Sequence, residues 1–258
     1  MKVAILGAGP SGMMAAHAAS ENRHYVDIFD KDPDMTRRNS GVYFLHSPCN
    51  LPLEPIRIRQ QVLGIHNLPK EEVPNLYGLK VYGKSVPKNS ILEAMKNSET
   101  IGFDAGKALM YLWDMYGNQV QRRTIGNMED VKDFLYGYDR VISTIPAYIL
   151  FPDEKLDSIK TTIKVGTSPL NESFVLYNIN PHCNWYRTSA FCGTFVQEYG
   201  FEAKIDKKVG YEYKEVTKVL GEGLKSPYPA LLLAGRYGAW KKTTLTHNVF
   251  EEVRGWLA

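Results

Sequence analysis

The chain of 258 residues is 44% apolar and carries a formal net charge of only +3, enough apolar matter for a packed core and too little charge to argue for a polyanionic partner. No apolar run approaches the roughly 18 residues a membrane-spanning helix needs, and Met1 leads straight into a strand without a signal peptide, so a soluble, cytoplasmic protein is expected. Cys49, Cys183 and Cys192 are widely spaced with no C-x-x-C, which suggests neither a disulfide framework nor a zinc site.

Residues 1–31 read as one βαβ unit. Val3 to Leu6 form an unbroken apolar run, the pattern of a strand buried on both faces of a parallel sheet. Gly7, Gly9 and Gly12 follow in G-x-G-x-x-G spacing: the first for a tight turn, the second for backbone approach to a pyrophosphate, the third for close helix–strand packing. Pro10 and Ser11 suit the first helical positions, where free N–H groups and the positive end of the helix dipole face phosphates. Ala15, Ala16, Ala18 and Ala19 allow the helix to seat closely. A second strand, Tyr25 to Phe29, ends at Asp30, placed to accept hydrogen bonds from an unphosphorylated ribose.

Further on, residues 41–46 predict a short apolar strand ending in His46, and Ser47 to Pro55 an extended loop pinned by Leu51 and Leu53. Ile56 to Leu63 is expected to start a helix that Gly64 ends, and Leu79, Val81 and Tyr82 a strand. Asp104 caps a helix reaching Tyr116, with Ala108, Leu109, Leu112, Met115 and Tyr116 on one face and Gly117 at its stop. Asn127 to Leu135 predicts a short helix and Tyr138 to Thr144 a strand returning to the sheet. From Lys160 to Tyr199 the alternation turns toward β, with turns at Ser168-Pro169, Asn180-Pro181 and Gly193. Glu215 to Leu220 predicts a short helix, Ala230 to Ala234 a last buried strand, and Thr244 to Leu257 a closing helix with Leu245, Val249, Val253 and Leu257 spaced by four. The fold class is α/β: a Rossmann-like domain with a mainly parallel sheet and an inserted, smaller β-rich region.

The N-terminal turn, VISTIP at 141–146 and LLLAGRYGAW at 231–240 together make the chain resemble the two-dinucleotide-binding-domain flavoproteins, with most likeness to the UDP-galactopyranose mutase and amine-oxidase branch. The resemblance implies FAD, held by Gly7, Gly9, Pro10, Ser11, Gly12, Asp30, Lys31 and Thr144 on one side and by Gly235, Arg236, Tyr237, Gly238 and Trp240 on the other. It implies a discontinuous FAD-binding domain (1–60, 120–150 and 228–258) and a substrate region (61–119 and 151–227). GVYFLH at 41–46 is similar to the mutases' histidine-bearing stretch beside the flavin, although Tyr43 stands at their first histidine, and His247 falls near their helix histidine. The chain is shorter than that family by about a third, so substrate residues do not carry over.

Arg236 suits a forked contact to a phosphate oxygen, or else a surface salt bridge. Tyr43 and His46 are the candidates beside a flavin, at most one of them pointing at it. Tyr186-Arg187, an aromatic beside a fixed cation, is a substrate handle or a buried ion pair; the two read alike. No G-x-S-x-G and no H-E-x-x-H is present, which fits an enzyme whose cofactor carries the chemistry. The expectation is an FAD-dependent oxidoreductase taking a hydride from a small polar substrate such as an amine. Its rivals are a mutase-like reaction on a sugar nucleotide, a flavoenzyme acting on a modified nucleic-acid base, and a non-catalytic FAD-binding module.

Overall fold

The computed structural model describes residues 1–32, 44–65, 68–85, 87–88, 90–168 and 172–258. Tyr43, with Gly41 and Val42, lies outside the described residues. In chain order the elements are β1 (Lys2–Leu6), α1 (Pro10–Glu21), β2 (Tyr25–Asp30), β3 (Phe44–Leu45), β4 (Ile56–Leu63), α2 (Val73–Tyr82), α3 (Ser90–Lys96), β5 (Glu99–Asp104), α4 (Ala105–Tyr116) and β6 (Val120–Arg122). Then come α5 (Met128–Gly137), β7 (Arg140–Ser143), α6 (Ala147–Leu150), β8 (Ser158–Thr167), β9 (Phe174–Asn178), β10 (Trp185–Phe191), β11 (Thr194–Tyr199), β12 (Glu212–Val219), β13 (Leu231–Leu233), α7 (Gly235–Gly238) and α8 (Thr246–Leu257).

One sheet, ordered β13-β7-β1-β2-β6, is parallel throughout. The strand period of two sorts β1 onto both of its faces. Val3 and Ile5 pack with α1, α4 and α8, whereas Ala4 and Leu6 pack on the other side with Val131 and Phe134 of α5. The alanines of α1 are buried because both α4 and α8 cross it. No helix among the described residues is long and apolar enough to cross a membrane.

The second sheet, β12-β8-β11-β10-β9-β4-β5-β3, is antiparallel except where β4 and β9 run parallel. This is the expected β-rich layer, and it covers its core with α2 and α3: Val73, Tyr77, Val81 and Ile91 pack against Ile58, Val175 and Tyr186. The α4 helix packs instead on α1, beside the parallel sheet.

Three local expectations are corrected. Residues 56–63 form β4, not a helix, because alternation buries Ile58 and Val62 while Arg57, Arg59 and Gln61 face out. Residues 79–82 end helix α2, not a strand. Val73, Tyr77 and Val81, spaced by four, are all 0% exposed, Pro74 sits in the first turn, and Gly83 at φ 68° closes the helix by donating to the Leu79 carbonyl. Residues 215–219 lie in β12, paired along β8, where the β-branched Val216, Thr217 and Val219 suit an extended strand better than a helix. The elements α3, β5 and β6 carry too few periodic residues to be read in advance.

The α4 helix begins as expected, with the Asp104 carboxylate accepting the Gly106 and Lys107 N–H groups at 2.8 and 3.0 Å. Met115, expected on its buried face, is exposed. Loss of that cap in Asp104→Ala is expected to destabilise the protein by about 0.5–2 kcal/mol, read from the shift of a urea unfolding midpoint; an unchanged midpoint would show the cap to be idle.

Candidate functional site

At the end of β1 the backbone turns through Gly7 at φ 98°, a left-handed value that glycine adopts without strain. Added to Gly12, a methyl group would lie 1.7 Å from the Gly7 carbonyl oxygen, so only glycine lets the helix come this near the strand. Gly9 is different: a methyl group there would meet nothing within 4 Å. Its φ of −70° suits any residue, so among the described residues the space in front of it is open. The first N–H groups of α1 have no intrahelical partner and point to that space.

The end of β2 and the residue after β7 hold the turn. The Gly7 N–H donates to the Phe29 carbonyl at 2.7 Å, and the Thr144 N–H and hydroxyl both donate to the Leu6 carbonyl, at 2.8 and 3.2 Å. Asp30 accepts the Ala8 N–H at 2.6 Å on one oxygen and the Asp32 N–H at 2.8 Å on the other. Lys31 is exposed beside it.

The far end of the chain arrives here too. A methyl group on Gly235, at φ 76°, would lie 2.6 Å from the Ser11 hydroxyl oxygen, and one on Gly238 would lie 2.9 Å from the Ser143 carbonyl oxygen. The α7 turn therefore rests on both α1 and the end of β7. Arg236 donates through Nε to the Thr244 carbonyl at 3.1 Å and has no carboxylate partner among the described residues; burial lowers its pKa, with Arg187 nearby acting in the same direction. Tyr237 and Trp240 face the second sheet. The Tyr237 hydroxyl donates to the Thr217 carbonyl at 2.8 Å, and the Trp240 indole donates to the Asp157 carbonyl at 3.1 Å while packing with Ala147 and Val219.

His46 and His247 meet, with ring centroids 5.3 Å apart, and Phe44 lies edge-on to His46 at 4.9 Å. His247 Nδ1 is buried without a hydrogen-bond partner. Burial, and after it the neighbouring His46, lowers the His247 pKa to about 4; partial burial also lowers that of His46, although the residue keeps an exposed edge.

Arg187 lies apart from this pair, on the second sheet, in an ion triad. It is bonded to Glu198, directly across the β10–β11 register, and Lys218 of β12 is bonded to the other Glu198 oxygen. Tyr186 donates to the same carboxylate at 2.5 Å. Burial alone would raise the Glu198 pKa, but Arg187 and Lys218 hold it well below the carboxylate range. The acid is the most enclosed member: 5% of its side chain is exposed, against 34% for Arg187 and 20% for Lys218. Glu198, Lys218 and Lys88 carry no local sequence signal, because their meeting depends on strand register and on the placement of a loop.

Residues 5–44 match the model of an NAD(P)-binding Rossmann-like domain. No curated protein matches the chain in sequence. Among solved structures, an oxidoreductase from Methanosarcina mazei is similar at 13% identity with TM-score 0.59, covering 100% of both chains. The PF1083 protein of Pyrococcus furiosus is similar at 13% identity with TM-score 0.55, over 100% of this chain and 97% of that one. CtdE in complex with FAD is similar at 10% identity with TM-score 0.50, over 98% of this chain and 82% of that one. At such identities the likeness is one of fold, and what the site does rests on its own residues.

Two measurements probe this geometry. Gly12→Ala is expected to destabilise the protein by more than about 2 kcal/mol, since backbone must move, whereas Gly9→Ala is expected to unfold within about 0.5 kcal/mol of the unaltered chain; equal losses in denaturant melts would mean that the space at Gly9 is not open. By NMR titration His247 is expected to protonate near pH 4 and not near the 6.5 of a free imidazole. Because its folded pKa is depressed, the unfolded chain takes the proton first, so this residue subtracts stability as pH falls from about 6.5 toward 4. His46→Gln removes the neighbouring charge and should raise the His247 midpoint, though not to 6.5, since burial is the larger cause; a midpoint that stays put would disprove the coupling.

Proposed function

We propose that the chain is a flavoprotein that binds FAD across the β1–α1 turn and the α7 element and acts as an oxidoreductase on a small polar substrate such as an amine. The observation that carries this reading is the convergence at one place of open space before Gly9 and a Gly-Arg turn seated on Ser11. A simple NAD(P)-type βαβ unit needs only the first. Closure by a last strand and Gly-Arg turn is what the resemblance to two-dinucleotide-binding-domain flavoproteins implies, and CtdE, of similar fold, is described in complex with FAD.

The α1 N-terminus faces the phosphates, and the Asp30 carboxylate, at the end of β2, is placed to accept a ribose hydroxyl. Arg236, whose Nε is fixed by the Thr244 carbonyl, has its two terminal nitrogens left for a phosphate oxygen. Bound FAD supplies an acceptor for a hydride from a substrate C–H bond. The chain's part is positional and electrostatic. The uncharged His247 imidazole keeps one unpaired nitrogen, Nδ1, able to take up or hand on a proton, with His46 at its edge. An amine must be neutral before it gives up a hydride, and the cations around Arg187 favour the neutral form.

The purified protein is expected to show flavin absorption bands and to release FAD, identified by chromatography, on denaturation; a colourless protein that does not take FAD up sinks the reading. Asp30→Ala and Arg236→Ala are each expected to weaken FAD binding by roughly 1.5–3 kcal/mol, with Arg236→Lys recovering part of the loss because an ammonium lacks the planar fork. Gly9→Ala should stay folded and lose FAD.

A further inference from the structure

Around the Glu198 triad the positive charge exceeds what the described residues balance. Lys88 is placed with its Nζ 5.6 Å from the Tyr77 ring centroid, 5.7 Å from that of Tyr82 and 5.9 Å from that of Tyr186, and Lys218 Nζ lies 5.5 Å from the Tyr186 ring. Neither Lys88 nor Arg236 has a carboxylate partner among the described residues. Counting Lys88, Arg187, Lys218 and Arg236 against Glu198 leaves four cations and one anion. The tyrosine walls are closed: Tyr77 and Tyr186 are 0% exposed, and Tyr82 and Tyr177 are buried. The cations are not; Arg187 and Lys218 keep a third and a fifth of their side-chain surface open. In addition, the Tyr77 hydroxyl is buried with no hydrogen-bond partner among the described residues, a donor that native interiors do not leave unused without reason.

We propose that this cluster is a binding site for an oxyanion, the carboxylate or phosphate group of a small organic substrate, held by Lys88, Arg187, Lys218 and the Tyr77 hydroxyl beside Arg236. Like charges gathered in a partly desolvated place are costly unless an opposite charge joins them. The fixed Arg187 fork and the two lysines supply the donors such a group takes. Burial, then Arg187 and Lys218, lowers the pKa of Lys88 well below the usual lysine value, which agrees with a site whose counter-charge is a ligand and not a side chain. That the anion is the substrate of the flavoprotein rests on the reading above; that an anion binds here does not.

The test is calorimetric titration of the purified full chain with inorganic phosphate and with acetate, each against chloride at equal ionic strength, beside the flavin spectrum of the same sample. Saturable heat with phosphate alone assigns a phosphate group, with acetate alone or with both a carboxylate, and with neither overturns the proposal. Lys88→Gln removes a cation that pairs with no acid, so it is expected to keep the fold and to weaken the anion roughly 10–100-fold, the range for one charge-assisted contact. Lys160→Gln, at an exposed pair with Glu215, should bind as the unaltered chain does. If Lys88→Gln and Lys88→Met both bind as tightly as the unaltered chain, the site is elsewhere. A sample that neither carries flavin nor takes FAD up, yet binds the anion, would sink the FAD reading and leave this one standing.

Discussion

The 1.7 Å that separates a hypothetical methyl group on Gly12 from the Gly7 carbonyl is the tightest requirement at the centre of the molecule. It sets how near α1 comes to β1, and so where the free N–H groups of the helix point. The rest of the site is then assembled around this approach. Thr144 grips the strand end from β7, Asp30 grips Ala8 from β2, and Gly235 reaches Ser11 from the last strand. At Gly7, Gly12, Gly235 and Gly238 the meeting is possible because a side chain is missing, whereas among the described residues nothing stands opposite Gly9.

The α7 turn also joins the two sheets. Its glycines rest on Ser11 and Thr144 of the parallel layer, while Tyr237 and the adjoining Trp240 are bonded to the Thr217 and Asp157 carbonyls at the β12 end of the second layer. The two aromatics expected to line a cofactor thus serve as ties between layers. Trp240 reaches Asp157 only by taking a φ of 49°, a conformation that a bulky residue holds only when its surroundings fix it. Arg236, between Gly235 and Gly238, is tied only through its Nε to the Thr244 carbonyl among the described residues.

Much of the parallel layer was legible in the sequence because its signals are local. A strand buried on both faces reads as an unbroken apolar run, and the glycine spacing and the caps at Asp104 and Asn127 lie within one turn of what they control. The second layer was less so. IRIRQQVL has β-branched and polar residues in nearly even measure, so its period of two shows only once Ile58 and Val62 have a core to face. VPNLYGLKVY contains a proline and a glycine that argue against a helix, yet Pro74 falls in the first turn, where its missing N–H does no harm. Arg187 had two readings that sequence could not separate, handle or ion pair. Its partner Glu198 lies eleven residues away and is brought opposite by the hairpin register.

That ion pair does not close Arg187 off, because Glu198 takes one side of the guanidinium and leaves a third of the side chain open. Glu198 is the enclosed member and takes three donors, from Arg187, Lys218 and Tyr186, which fixes the guanidinium and the ammonium in place while their open surfaces face away from it. A cation held in this way loses little further freedom when it meets an anion, and such preorganisation favours binding. Arg236 closes the argument: it follows Gly235, which sits on the α1 turn, and it lies near enough to Arg187 for the two charges to be felt together. A phosphate on the nucleotide side and an oxyanion on the tyrosine side would flank the same guanidinium and repel each other, so that holding both at once calls on the further cations, Arg187 and Lys218, fixed by Glu198.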